Sequence, residues 1–240
     1  MFPKQNFKLK ESTKPITEPI TKFGGQPVWI NTPQWPIDPY PTEQVKMLFI
    51  GQIALNPAVF SGSEGMMAYI FFAEEGEPLI EEQLVTVIQT KNNPFVNKLF
   101  YVEMDEVFPA KIEFLEELQG PVIYDKKGLN KEYSVALGEV QQEKKLPVGT
   151  KLDYERDYTP RLRFKDAKIG GNKIGGQPVY FNIDYPIPYN PEDWYLLLQL
   201  VPVWGEYFYF PFFIGVYPVT IIQIFISKDF KNTVSSLPGI

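Results

Sequence analysis

Lys22-Phe23-Gly24-Gly25-Gln26-Pro27-Val28-Trp29-Ile30-Asn31 is written a second time in this chain, as Lys173-Ile174-Gly175-Gly176-Gln177-Pro178-Val179-Tyr180-Phe181-Asn182. Seven of the ten positions are identical, and the other three exchange one apolar residue for another. Each copy is followed by an aromatic-proline pair, Trp35-Pro36 or Tyr185-Pro186, and then by a long apolar run holding one glutamine, Gln52 or Gln199. Self-similarity of this kind reads as an internal duplication, with two similar halves in one globule. Within each copy, Gly24-Gly25 and Gly175-Gly176 supply residues free to take a positive φ. Pro27 and Pro178 fit only the start or the edge of a strand. The pattern therefore predicts a tight turn leading into a strand.

The runs after the motif define the sheet. Val45 to Leu55 is apolar at both parities from Met47 onward, as is Trp194 to Val203, so both faces of these strands are covered and they lie centrally. A glutamine inside such a strand must have its amide hydrogen-bonded, because a buried unpaired polar group costs about 1–3 kcal/mol. Gln52 and Gln199 are expected to tie down the backbone of their own Gly-Gly turns. Further strands are expected at Met66–Ala73, Leu84–Thr90 and Leu99–Glu103, with Gly76-Glu77-Pro78 and Asn92-Asn93-Pro94 as turns between them. Periodicity leaves Pro109–Gln119 open between strand and short helix.

Composition agrees. Aromatics make up 15% of the 240 residues and there are 23 prolines, about twice the usual share of ~5%, which is a strand-and-turn usage. The fold class expected is mainly β, formally α+β with few short helices, built as an internally duplicated antiparallel sheet or roll. The boundaries read as an extended N-terminal arm over 1–20, a first repeat over 21–124, a charged connection and strand pair over 125–165, and a second repeat over 166–240, all in one domain. Pro3, Pro15 and Pro19 suggest that the arm lies on the surface. The lysine-rich segment 125–152 reads as a surface connection.

Charge and missing residue types narrow the function. A net charge of −6 argues against a nucleic-acid backbone as partner and suits a basic protein or a cationic ligand. With neither histidine nor cysteine, a Ser-His-Asp triad, a Cys-His dyad and an ordinary zinc site are all excluded. No motif asks for a metal or cofactor. Gly170-Gly171-Asn172-Lys173-Ile174-Gly175-Gly176 looks like a phosphate loop but lacks the Gly-Lys-Ser/Thr ending and leads into a strand rather than a helix. The absence of cysteine and of an apolar N-terminal core points to a cytoplasmic location.

The uncharged stretch Tyr207–Ser227 has the length of a membrane-spanning helix. Pro211, Pro218 and its β-branched and aromatic content favour two buried strands, so no membrane span is expected. Strand alternation around Pro211 then sends some of its aromatics to solvent, where they can anchor a partner. The expected partner surface comprises Tyr207, Tyr209 and Tyr217, with Trp204 and Glu206. The residues of the structural motif are Gly24, Gly25, Pro27 and Gln52 in one half and Gly175, Gly176, Pro178 and Gln199 in the other.

Through the Lys22–Pro27 motif with Trp35-Pro36, and Lys173–Pro178 with Leu196-Leu197-Leu198-Gln199-Leu200, the chain resembles the YwqG-like family of bacterial proteins over most of residues 20–240. The resemblance implies a duplicated, mainly β fold without established catalytic residues. It also implies, for some members, a role as immunity proteins against polymorphic toxins. Val201-Pro202-Val203-Trp204-Gly205-Glu206 keeps the Trp-Gly-acid segment typical of the family's second repeat but replaces its acidic lead with apolar residues. The leading expectation is a non-enzymatic cytoplasmic binding protein that neutralises a cognate toxin domain by direct contact. The alternative is a small-ligand binder or a carboxylate enzyme using Asp38, Asp184, Glu206 and Tyr189.

Overall fold

Met66-Met67-Ala68-Tyr69-Ile70-Phe71-Phe72 is apolar at every position, so it can be stable only with both faces covered. In the computed structural model it is the middle of an antiparallel meander. The structure describes residues 1–39, 43–73, 84–93, 97–103, 106–109, 111–125, 127–143, 171–178, 193–200 and 222–236. These form fifteen strands: β1 Phe2–Glu11, β2 Lys22–Gly24, β3 Trp35–Pro36, β4 Leu48–Ala54, β5 Met66–Phe72, β6 Leu84–Thr90, β7 Lys98–Glu103, β8 Glu106–Pro109, β9 Phe114–Leu115, β10 Glu132–Leu137, β11 Gln141–Glu143, β12 Lys173–Gly175, β13 Trp194–Leu200, β14 Ile222–Ser227 and β15 Asn232–Ser236. The mainly β expectation holds, and the described residues contain no helix.

Thirteen strands make one sheet in the order β6-β5-β4-β2-β10-β1-β12-β13-β14-β15-β7-β8, with β11 alongside β1; β3 and β9 form a separate pair. Every pairing in the large sheet is antiparallel except β15 with β7, which is parallel. The sheet curls until β6 approaches β15. Asn97 and Thr233 both donate to the Thr86 carbonyl and Ser235 donates to that of Leu84, so side chains stitch the two strands.

Read outward from the central β10–β1 pair, the order of strands carries the same local features on each side. Lys22 lies across from Gln52 on β4, and Lys173 lies across from Gln199 on β13. The register slips three residues before each glutamine, between Phe49 and Gly51 and between Leu196 and Leu198. Gly24 faces Glu132 on β10, and Gly175 faces Lys4 on β1. The central pair is itself registered symmetrically, Phe7 with Leu137 and Leu9 with Val135.

Two apolar clusters fill the two faces. One joins Phe7, Phe23, Ile50 and Ile70 to Ile174, Leu198 and Ile224 inside the curled sheet, so both sides contribute to a single core. The other gathers Trp35, Met47, Phe49, Tyr69 and Phe71 on the outer face of β4 and β5, under the segment that follows the first motif. Burying side chains of this size stabilises by about 1.5–3 kcal/mol each.

Two expectations are corrected. The N-terminal stretch is extended, but β1 is hydrogen-bonded along both edges and is an interior strand rather than a surface arm. The physical reason is its alternation: Phe7 and Leu9 turn toward the core while Lys8 and Lys10 turn outward, as a half-buried strand requires. The charged segment after residue 125 is likewise not a mere connection, since β10 and β11 belong to the sheet. Within Pro109–Gln119, Phe114–Leu115 is strand.

Candidate functional site

Each copy of the motif opens with a lysine, and both side chains are almost wholly inside the protein, at 1% exposure for Lys22 and 0% for Lys173. A buried ammonium without a partner is strongly unfavourable, so each must have been given a carboxylate. Glu132 supplies it at the first motif: Lys22 Nζ donates to Glu132 Oε1 at 2.5 Å and to the Ile16 carbonyl at 3.1 Å. The Ile16 N–H donates to the same Oε1 at 3.2 Å, which fixes the entry to the motif.

The second motif reaches the same end differently. Position 4, which faces the first glycine of its motif as Glu132 does, holds a lysine. The carboxylate comes instead from Glu143 on β11, and it takes both ammonium groups. Lys4 Nζ donates to Oε1 at 2.6 Å, and Lys173 Nζ lies 3.2 Å from both oxygens. The Gln177 N–H completes the set at 2.7 Å from Oε2. Burial, with the Lys4 charge beside it, holds Lys173 down at about 8 against the attraction of Glu143.

The Gly-Gly turns make room for these carboxylates. Gly24 and Gly25 have φ of 67° and 60°, and Gly175 and Gly176 of 76° and 82°. A Cβ on Gly25 would collide with the Glu132 carboxyl group, and one on Gly176 would lie 2.5 Å from Glu143 Oε2. The second glycine of each pair is therefore required twice, by backbone conformation and by the carboxylate lying on it.

Both glutamines hydrogen-bond to main-chain groups, and the Gln199 oxygen also accepts from the Gln223 side chain. Gln52 Nε2 donates to the Ile20 carbonyl at 2.8 Å and its Oε1 accepts the Val28 N–H at 2.8 Å, so one amide clamps both ends of the first turn. Gln199 Nε2 donates to the Gly171 carbonyl at 3.0 Å, two residues before Lys173 as Ile20 is before Lys22. Beyond the first motif, Tyr69 and Gln89 continue the strapping. The Tyr69 hydroxyl donates to Val28 O and accepts from Ile30 N–H, and Gln89 donates to Thr32 O. Burial pushes the Tyr69 phenol well above its usual range. Trp29 lies on Tyr69 with ring centroids 4.5 Å apart, and Trp35 donates to the Met47 carbonyl.

Sequence reasoning placed the glycines and glutamines together but missed the lysines and their partners. The signal was present in the lysine shared by both copies at the head of a strand that is otherwise buried. Asp38 is buried, and its backbone N–H donates to Val45 O. Asp184 and Tyr189, and the expected partner surface of Trp204, Glu206, Tyr207, Tyr209 and Tyr217, lie outside the described residues, as do Val201–Val203 and most of Tyr207–Ser227; Ile222–Ser227 of that stretch is strand β14. Among the described residues no group of three or more acidic side chains is placed to hold a metal ion, and no helix is long and apolar enough to cross a membrane. No family model matches the chain, and no curated protein sequence matches it.

Proposed function

We propose that this chain is a non-enzymatic cytoplasmic binding protein of YwqG-like type, built from two copies of one ancestral unit, that neutralises a basic toxin domain by direct contact. The observation that supports this reading is how the two motifs use their charge. The Lys22, Lys173, Glu132 and Glu143 groups bind one another and the main chain, holding two Gly-Gly turns in place. That is the chemistry of a rigid scaffold. Acidic side chains such as Glu113, Glu116 and Glu117 face solvent, and the net charge of −6 favours association with a positively charged surface.

The test is to purify the protein with the product of a neighbouring toxin reading frame and to measure affinity by calorimetry at two salt concentrations. A tight complex that weakens as salt rises, together with loss of toxin activity, is the expected result. Absence of a complex overturns the reading. Turnover of a small substrate that is lost on changing Asp38, Asp184 or Glu206 returns the carboxylate alternative.

A further inference from the structure

Two ammonium groups share one carboxylate beneath the second Gly-Gly turn, whereas Glu132 serves a single lysine beneath the first. With all three groups charged, the Lys4–Glu143–Lys173 cluster is net positive in a region where Lys173 is 0%, Glu143 4% and Lys4 11% exposed at the side chain. The described charged groups facing Lys173 are Lys4 from β1 and Glu143 from β11. From β13 it is met by the neutral amide of Gln199, directly across in register. Removing one proton leaves a hydrogen-bonded Lys4–Glu143 pair with a neutral amine beside it, and the repulsion between the two ammonium groups disappears.

We propose that this cluster is a pH-sensitive latch on the N-terminal strand, in which Lys173 gives up its proton, the repulsion from Lys4 is relieved, and β1 and β11 tighten against β12. Lys173 is held down at about 8 when folded, against an ordinary value of 10.5. The unfolded chain therefore binds more protons between these values. Stability contributed by this group rises as pH increases from about 8 to 10.5 and is flat outside that window. At the first motif, Lys22 is the one ammonium group among the described residues that pairs with Glu132, and a carbonyl is its second acceptor.

The experiment is a 13C titration of the lysine ε-carbons by NMR on the full chain, in the wild type and in Lys4→Gln. The expected wild-type result is a Lys173 midpoint near 8, with amide protection factors on β12 and β1 rising through it. In Lys4→Gln the midpoint moves up, because a like charge has been removed. A wild-type midpoint at 10 or above overturns the proposal with no variant needed. A low midpoint that does not move in Lys4→Gln, or protection factors that stay flat through the titration, also overturns it.

Discussion

At the first motif one glutamate serves one lysine, which donates a second hydrogen bond to a main-chain carbonyl; at the second motif one glutamate serves two lysines. The difference traces to a single place in the sheet. Glu132 and Lys4 each face the first glycine of a motif, from adjacent strands registered symmetrically about each other. Where that place holds an acid, the buried motif lysine is neutralised at once. Where it holds a base, the carboxylate must come from the next strand, and β11 brings in Glu143. The motif thus keeps its buried lysine and its carboxylate-bearing glycine turn while the supplier of the acid changes. What the two motifs share is the need for a negative charge at that spot rather than a given residue.

The comparison ranks the expected effects. Glu143→Gln strands two ammonium groups inside the protein and should lower stability by about 3–5 kcal/mol, the range for breaking a buried ion pair. Glu132→Gln should lie at or below the bottom of that range, since Lys22 keeps the Ile16 carbonyl and Glu132 is 14% exposed at its side chain. Urea unfolding of both variants measures the difference; equal losses would mean that the second lysine adds nothing.

Gln52→Leu comes next, at about 1–3 kcal/mol, because it orphans both the Ile20 carbonyl and the Val28 N–H. Gln199→Leu should fall in the same range through the Gly171 carbonyl. Thermal unfolding of the pair checks this. A melting point unchanged in either variant would show that the amide is not holding its turn.

Much of this was legible in the sequence, and the limits have a physical cause. Alternation and apolar runs mark β4, β5 and β6 to within a residue or so at most of their ends, since strand burial is a local property of composition and period. The roles of Gln52 and Gln199 follow from a polar amide in an apolar strand. Glu132 and Glu143 are different: they meet Lys22 and Lys4 across 110 and 139 residues of chain. Nothing local in a glutamate within a lysine-rich segment says that it will be drawn inside. Their burial is decided by which strands lie side by side, and β1 was hidden by the prolines around it although Phe7-Lys8-Leu9-Lys10 carries the alternation of a strand. Lys22 and Lys173 stand at the head of a turn motif, and only the pairing of the strands around them makes them buried charges.

The most direct test of the equivalence between the two latches is to convert the second into the first. Lys4→Glu places an acid where Glu132 stands in the other half, and combining it with Glu143→Gln moves the carboxylate from β11 to β1 without changing its presence beside Lys173. Urea unfolding of the wild type, the two single variants and the double variant completes a cycle. The account predicts that Lys4→Glu restores most of the stability lost in Glu143→Gln, with a favourable coupling of about 2 kcal/mol or more, within the range for neighbouring charged groups. A double variant as unstable as the sum of the two single ones would contradict it.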